Sequence, residues 1–277
     1  MTDEHDLGLC HDLPRILGRR GLLGVLGAAG IAAVAVGCGS DEPASTATQP
    51  QPPPGGGPGG GAESSVEVAE GEIPEETAGP YPGDGSNGVN VLTESGVVRS
   101  NLTTSFGSAS GVAVGVPVTI RLKVYDLDGD DVAALSGAAV YLWHCDREGR
   151  YSMYDDEIKD ENYLRGVQET DASGRVTFTS IFPACYDGRW PHMHFEVYQS
   201  LADATTYAHK LRTSQLALPQ DVCETVYATS GYEASVANLA SVSLDGDMVF
   251  SDGHSLQMAK VSGSVDDGYA ISLNLPV

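Results

Sequence analysis

In His192-Met193-His194 two imidazoles stand two residues apart. On an extended strand that spacing projects both rings from one face, while Met193, Phe195 and Val197 turn to the other. Two nitrogen donors on one stiff strand make half of a metal site, although His-x-His also occurs on surface strands that hold no ion. The flanks add groups with chemistry of their own. Phe182-Pro-Ala-Cys-Tyr186-Asp-Gly-Arg189-Trp-Pro places a tyrosine and an arginine in a Pro- and Gly-broken loop that runs into the histidine strand. Earlier, Val140-Tyr-Leu-Trp143-His144-Cys145-Asp146-Arg-Glu-Gly149-Arg150-Tyr151-Ser152 reads as a strand and then a glycine turn presenting a second tyrosine. Each has a plainer use. Tyr151 suits a turn tyrosine capping a strand, Tyr186 a loop aromatic beside a Cys185 disulfide, and Arg189 a surface ion-pair donor among many carboxylates. His144, His209 and His254 are read as non-ligands, and the acidic run 155–161 as a solvated loop, since it lacks EF-hand spacing.

The combination Gly-x-Tyr-Ser followed by Tyr-x2-Arg-x2-His-x-His resembles the intradiol catechol dioxygenases, the family of catechol 1,2-dioxygenase and protocatechuate 3,4-dioxygenase. Outer pieces resemble it too: Glu76-Thr-Ala-Gly79-Pro80-Tyr81, Leu164-Arg-Gly-Val-Gln-Glu-Thr170-Asp171-x2-Gly174, Thr213-Ser-Gln215-Leu216 and Pro219-x-Asp221. The resemblance runs from about 75 to 225 and leaves the tail from 226 onward unmatched. Trp190 and Ala184-Cys185 depart from the family pattern at places where they could narrow the pocket. A long N-terminal helical dimerisation segment is not evident.

The resemblance implies one mononuclear non-haem Fe(III) held by Tyr151, Tyr186, His192 and His194, with solvent hydroxide completing the shell. Two phenolates are hard oxygen donors that favour ferric iron and set this group apart from the 2-His-1-carboxylate Fe(II) sites. A free phenol titrates near pH 10, so the cation's own charge must keep both ionised at neutral pH. By the same resemblance a catechol chelates the metal, the hydroxide and Tyr186 accept its two protons, and O2 is inserted between the hydroxylated carbons to give a muconate-type diacid. Arg189 is implied to oppose the negative charge that develops on the substrate, Gln215 to orient substrate or oxygen, and Tyr81 to line the mouth of the pocket.

The elements that must carry these residues are strands. Val118, Ile120, Leu122 and Val124 alternate with polar residues, as do Val176 and Phe178, and Met193, Phe195 and Val197; 261–265 and 271–275 alternate less cleanly. Asp128-Gly129-Asp130, Asp171-Ala-Ser-Gly174, Asp245-Gly246-Asp247 and Asp252-Gly253 punctuate them as turns. Only 231–240 could hold a short helix. The expected fold is all-β, an antiparallel β-sandwich of transthyretin (prealbumin) type with long active-site loops and little helix.

Ahead of this unit, Arg15, Arg19 and Arg20 precede the uncharged stretch 21–37, which ends at Ala35-Val36-Gly37-Cys38. That order is expected to be an export signal over 1–37 with a lipobox whose Cys38 receives lipid; Arg19-Arg20 resembles a twin-arginine signal. Residues 38–71, with PQPPPGGGPGGG, have little to bury and are expected to form a disordered tether, leaving 72–277 as the folded domain facing the outside of the membrane. Of five cysteines, Cys10 goes with the signal and Cys38 with the lipid. An odd set of three remains, and Cys185 with Cys223 is the expected disulfide, the two other pairings staying open. With 38 acidic against 15 basic residues, and a net charge of −23, nucleic acid is excluded as a partner and the membrane is met only through the lipid. Expected partners are a small aromatic diol and O2, and the expected state a monomer or homodimer. The competing reading is a non-catalytic cell-surface module of transthyretin type, to which 137–143 and 170–178 also conform, or an inactive metal-binding homologue.

Overall fold

The computed structural model describes residues 71–127 and 132–277; the export signal, Cys38, nearly all of the expected tether and the Asp128-Gly129-Asp130 turn lie outside them. Nine strands follow in chain order: β1 Pro117–Asp126, β2 Ala133–Ala134, β3 Ala139–Trp143, β4 Arg165–Glu169, β5 Arg175–Ile181, β6 His192–Tyr198, β7 Lys210–Ala217, β8 Lys260–Ser264 and β9 Gly268–Pro276. Two short helices, α1 Gln220–Tyr227 and α2 Glu233–Leu239, lie between β7 and β8. One sheet runs β2-β1-β9-β8 with β5 also paired to β1, and the other runs β4-β3-β6-β7.

Alternation in β1 translates directly into burial: Val118, Ile120, Leu122 and Val124 point inward and meet Val140 and Leu142 of β3 and Met193, Phe195 and Val197 of β6 in one core between the sheets. β6 is buried along its whole length, because its other face, with β3's Tyr141 and Trp143, lies under long loops and forms a second cluster with Tyr151, Ala184 and Tyr198. The site-bearing histidines belong to that second face.

The expected sandwich is present with one amendment to its antiparallel character. β9 pairs with β1 in parallel, Ile271 beside Ile120 and Leu273 beside Leu122. The chain between the two strands spans most of the domain, so no hairpin forces the return direction. α2 falls within the expected 231–240. α1 is an addition: its Val222, Cys223, Val226 and Tyr227 repeat at helical spacing over only two turns, too short to stand out from its flanks.

Candidate active site

The turn after β3 is organised by Asp146. Its carboxylate accepts the Glu148 and Arg150 N–H groups at 3.0 and 2.9 Å, and its carbonyl accepts the Ala184 N–H at 3.2 Å, joining the Tyr151 turn to the Tyr186 loop. Gly149 has φ +88°, and a Cβ there would lie 3.0 Å from the Cβ of Tyr186, so the turn needs glycine both for its backbone and for room. Arg165, buried on β4, donates to the Ser152 carbonyl at 2.9 Å, the Pro82 carbonyl at 2.9 Å and the Tyr141 hydroxyl at 3.2 Å. It thereby ties the segments after Tyr81 and Tyr151 to the sheet.

These elements bring four side-chain heads together. Tyr151 Oη lies 3.2 Å from His194 Nε2, His194 Nε2 lies 3.1 Å from His192 Nε2, and His192 Nε2 lies 3.2 Å from Tyr186 Oη. His192 Nδ1 is 2.5 Å from the Trp190 carbonyl, which needs a donor; its N–H is therefore on Nδ1, and the bare lone pair on Nε2 points into the cluster. His194 is stacked flat on Trp143, centroids 4.9 Å apart at 8°, and its buried Nδ1 has no hydrogen-bond partner. Tyr151, His192 and His194 are buried, whereas Tyr186 is half-buried on its glycine-broken loop.

Burial pushes the Tyr151 phenol well above its usual value, helped by Tyr186, and pushes Tyr186 up to about 12 against the pull of Arg189. Burial lowers His192 to about 3 and His194 well below the ordinary imidazole range, with Arg189 and His192 respectively adding to the effect. Left to itself the cluster is neutral: two phenols and two imidazoles with nitrogen lone pairs facing one another. The donor set fits a small, highly charged cation. Ligands about 2.0–2.2 Å from such an ion sit about 3 Å from each other, the spacing these heads already have. The ion's charge also supplies what both tyrosines need to ionise. Among the described residues no group of three or more His, Cys, Asp and Glu has metal-site geometry, so any ion here depends on the phenols.

Around the cluster, Tyr81 is 38% exposed and packs its ring 4.9 Å from Tyr151 and 5.3 Å from Tyr154. Gln215 lies opposite His194 in the β6–β7 register, accepts from Arg189 Nη2 at 2.7 Å and donates to the Thr77 carbonyl at 2.9 Å. Arg189 is no surface ion-pair donor: its Nε donates at 2.9 Å to Asp247, whose side chain is completely buried. His144 has both ring nitrogens engaged, by the Cys145 carbonyl and Ser180 Oγ, and His209 sits in a 3-10 turn before β7, so neither joins the cluster. His254 is half-buried, with Nδ1 3.3 Å from the Phe250 carbonyl, and stays outside the cluster.

Two expectations are corrected. Cys185 and Cys223 do not form the expected disulfide; with Cys145 they are buried free thiols, and Cys185 Sγ is turned to the Arg189 carbonyl at 3.4 Å. Trp190 does not narrow the pocket. It packs in the core between the sheets and donates from Nε1 to the Leu218 carbonyl at 2.9 Å. Asp146, Arg165 and Asp247 were not singled out by sequence reasoning. Only Arg165 carried a signal, as part of Leu164-Arg-Gly.

Residues 98–210 match the Dioxygenase_C family model, described as dioxygenase. Tyr151, Tyr186, Arg189, His192 and His194 fall inside that stretch, and Tyr81, Gln215 and Asp247 outside it. Catechol 1,2-dioxygenase 2 of Acinetobacter lwoffii is 33% identical over 76 residues, which cover 27% of this chain and 26% of that enzyme. The chain thus aligns with about a quarter of that relative's length. Among solved structures, an intradiol ring-cleavage dioxygenase from Tetranychus urticae superposes with a TM-score of 0.54 at 24% identity, over 66% of this chain and 87% of that one. The fold is the all-β scaffold of that structure, and residues 98–210 are the stretch that is similar to the dioxygenase family model.

Proposed function

We propose that the protein is a non-haem Fe(III)-dependent intradiol dioxygenase that cleaves a catechol-type ring with O2 to a muconate-type diacid. The observation that carries this reading is the chain of three contacts of 3.1–3.2 Å linking Tyr151, His194, His192 and Tyr186, phenols and imidazoles gathered with no carboxylate among them. These four residues are the ones that would hold the iron, which when bound supplies the Lewis acidity and electron demand that open a catecholate to oxygen.

The chain's own residues do the rest. The Trp190 carbonyl fixes His192 in the tautomer that presents Nε2. Tyr151, buried and against Tyr81, is the fixed phenol, while Tyr186, half-buried on a loop with Gly188 at φ +79°, is the one able to swing and take a catechol proton on its oxygen. Arg189, held beside Gln215, brings a guanidinium to the negative charge that grows on the ring. Tyr81 offers an aromatic face to an aromatic substrate at the mouth. The export signal, the lipid on Cys38 and an extracellular location remain part of the proposal on the sequence alone.

The test is oxygen uptake by iron-loaded protein over a panel of catechols with mass identification of the product. A diacid that has gained both oxygen atoms is expected. A yellow semialdehyde, from cleavage beside rather than between the hydroxyls, or no turnover at full ferric loading, would overturn it.

A further inference from the structure

Asp247 comes from the tail beyond the dioxygenase match, yet its carboxylate anchors the loop that carries Arg189. Oδ2 accepts from Arg189 Nε at 2.9 Å and from the Trp190 N–H at 2.7 Å, while Oδ1 accepts from the Val249 N–H at 2.8 Å. On the other side of the guanidinium, Nη2 reaches Gln215, which is itself pinned to the Thr77 carbonyl. An arginine side chain is long and rotamer-rich, and here it is clamped at two separate nitrogens and left 12% exposed. The peptide next to it is clamped as well. Trp190 gives its N–H to Asp247 and its carbonyl to His192 Nδ1, so one carboxylate restrains both the guanidinium and the group that orients a histidine. Burying a carboxylate completely is costly unless it is paired, and four donors from two segments, the Phe250 N–H at 3.4 Å being the fourth, make it tolerable.

We propose that Asp247 is a positioning residue for ring cleavage, holding Arg189 against Gln215 at the edge of the Tyr–His cluster. This rests on the dioxygenase reading above and adds to it an aspartate contributed by the C-terminal segment. An arginine released from that clamp still binds charge but spends its time elsewhere, so turnover suffers more than substrate binding.

Four proteins test it: Asp247→Asn, Asp247→Glu, Arg189→Gln and the Asp247→Asn/Arg189→Gln double variant. With Asp247→Asn, kcat is expected to fall about 10- to 100-fold with KM within about threefold, the cost of a misplaced group by roughly an ångström. Iron content and the resting visible spectrum should stay those of the wild type. Asp247→Glu keeps the charge and recovers part of the loss, and it carries the same test if the asparagine variant does not fold. In the Arg189→Gln background, Asp247→Asn costs far less, because the guanidinium it clamped is already gone and the asparagine amide oxygen can still accept the Trp190 N–H. Independently of turnover, phenylglyoxal labelling of Arg189 in metal-free protein, mapped by mass, is expected to quicken about tenfold on losing the clamp. Wild-type kcat and labelling rate in a folded variant, or equal losses in both backgrounds, would overturn the assignment of Asp247. An inactive wild type sinks the dioxygenase reading instead, and the labelling arm still judges the clamp.

Discussion

Replacing Gly149 by alanine strikes the Tyr186 loop through the turn that precedes Tyr151. At φ +88° an L-residue loses about 1–2 kcal/mol to left-handed backbone strain, offset by about 0.4–1 kcal/mol from a less mobile unfolded chain. The new methyl also meets the Tyr186 Cβ at 3.0 Å, so the loop must give by a few tenths of an ångström. Overpacking of this kind costs about 1–3 kcal/mol more. Gly137 is the control: its φ is +80° and a Cβ there meets nothing within 4 Å, so Gly137→Ala pays the backbone term alone. Urea unfolding of the metal-free proteins should therefore rank wild type above Gly137→Ala, and Gly137→Ala above Gly149→Ala by about 1–3 kcal/mol. Only Gly149→Ala should alter the visible band of the ferric protein, through a displaced Tyr186. Equal destabilisation by the two alanines, with an unaltered band, would refute the argument that this glycine makes room for the tyrosine.

Other outcomes follow from the same contacts. Tyr81→Ala removes an aromatic face at the mouth and is expected to raise KM severalfold, on the order of 1 kcal/mol, with kcat nearly unchanged, as steady-state kinetics will show. Burial lowers the pKa of His144 to about 4. Between the unfolded value near 6.5 and 4 the unfolded chain binds the extra proton, so stability falls as pH drops through that window, by on the order of 3 kcal/mol in all, and His144→Asn should flatten that part of the pH–stability curve. With Cys145, Cys185 and Cys223 as buried free thiols, reductant should leave Tm of the folded domain unchanged, and thiol reagent should label the three only after denaturation.

Period-two alternation made β1 and β5 legible, because each has one face on the core between the sheets and the other more open, and such a strand writes its pleat into the sequence; β6 alternates although both its faces are buried, because its second face carries His192, His194, Glu196 and Tyr198. The start of β7 shows no apolar alternation, since Lys210, Arg212 and Thr213 are polar yet largely buried in pairings with Glu72, Glu75 and Glu196. The Tyr and His residues could be named because their chemistry is unusual and their spacing short around 186–194. Asp247 could not. Its partner is 58 residues away, and an aspartate in an Asp-Gly-Asp turn has the commonest of explanations until a buried arginine is seen against it. The disulfide expectation failed for a related reason: an odd count of cysteines in a chain expected to be exported says nothing about which side chains point toward one another.

Two phenols and two imidazoles sharing one ferric ion is the central proposal for this protein. Titrating metal-free protein with Fe(III) while recording the visible spectrum tests that directly. One equivalent should bring up a phenolate-to-iron charge-transfer band that shifts on adding catechol, moves in Tyr186→Phe and is lost in the Tyr151→Phe/Tyr186→Phe pair. Protein that stays colourless at one bound equivalent, or a band indifferent to both tyrosines, would contradict it.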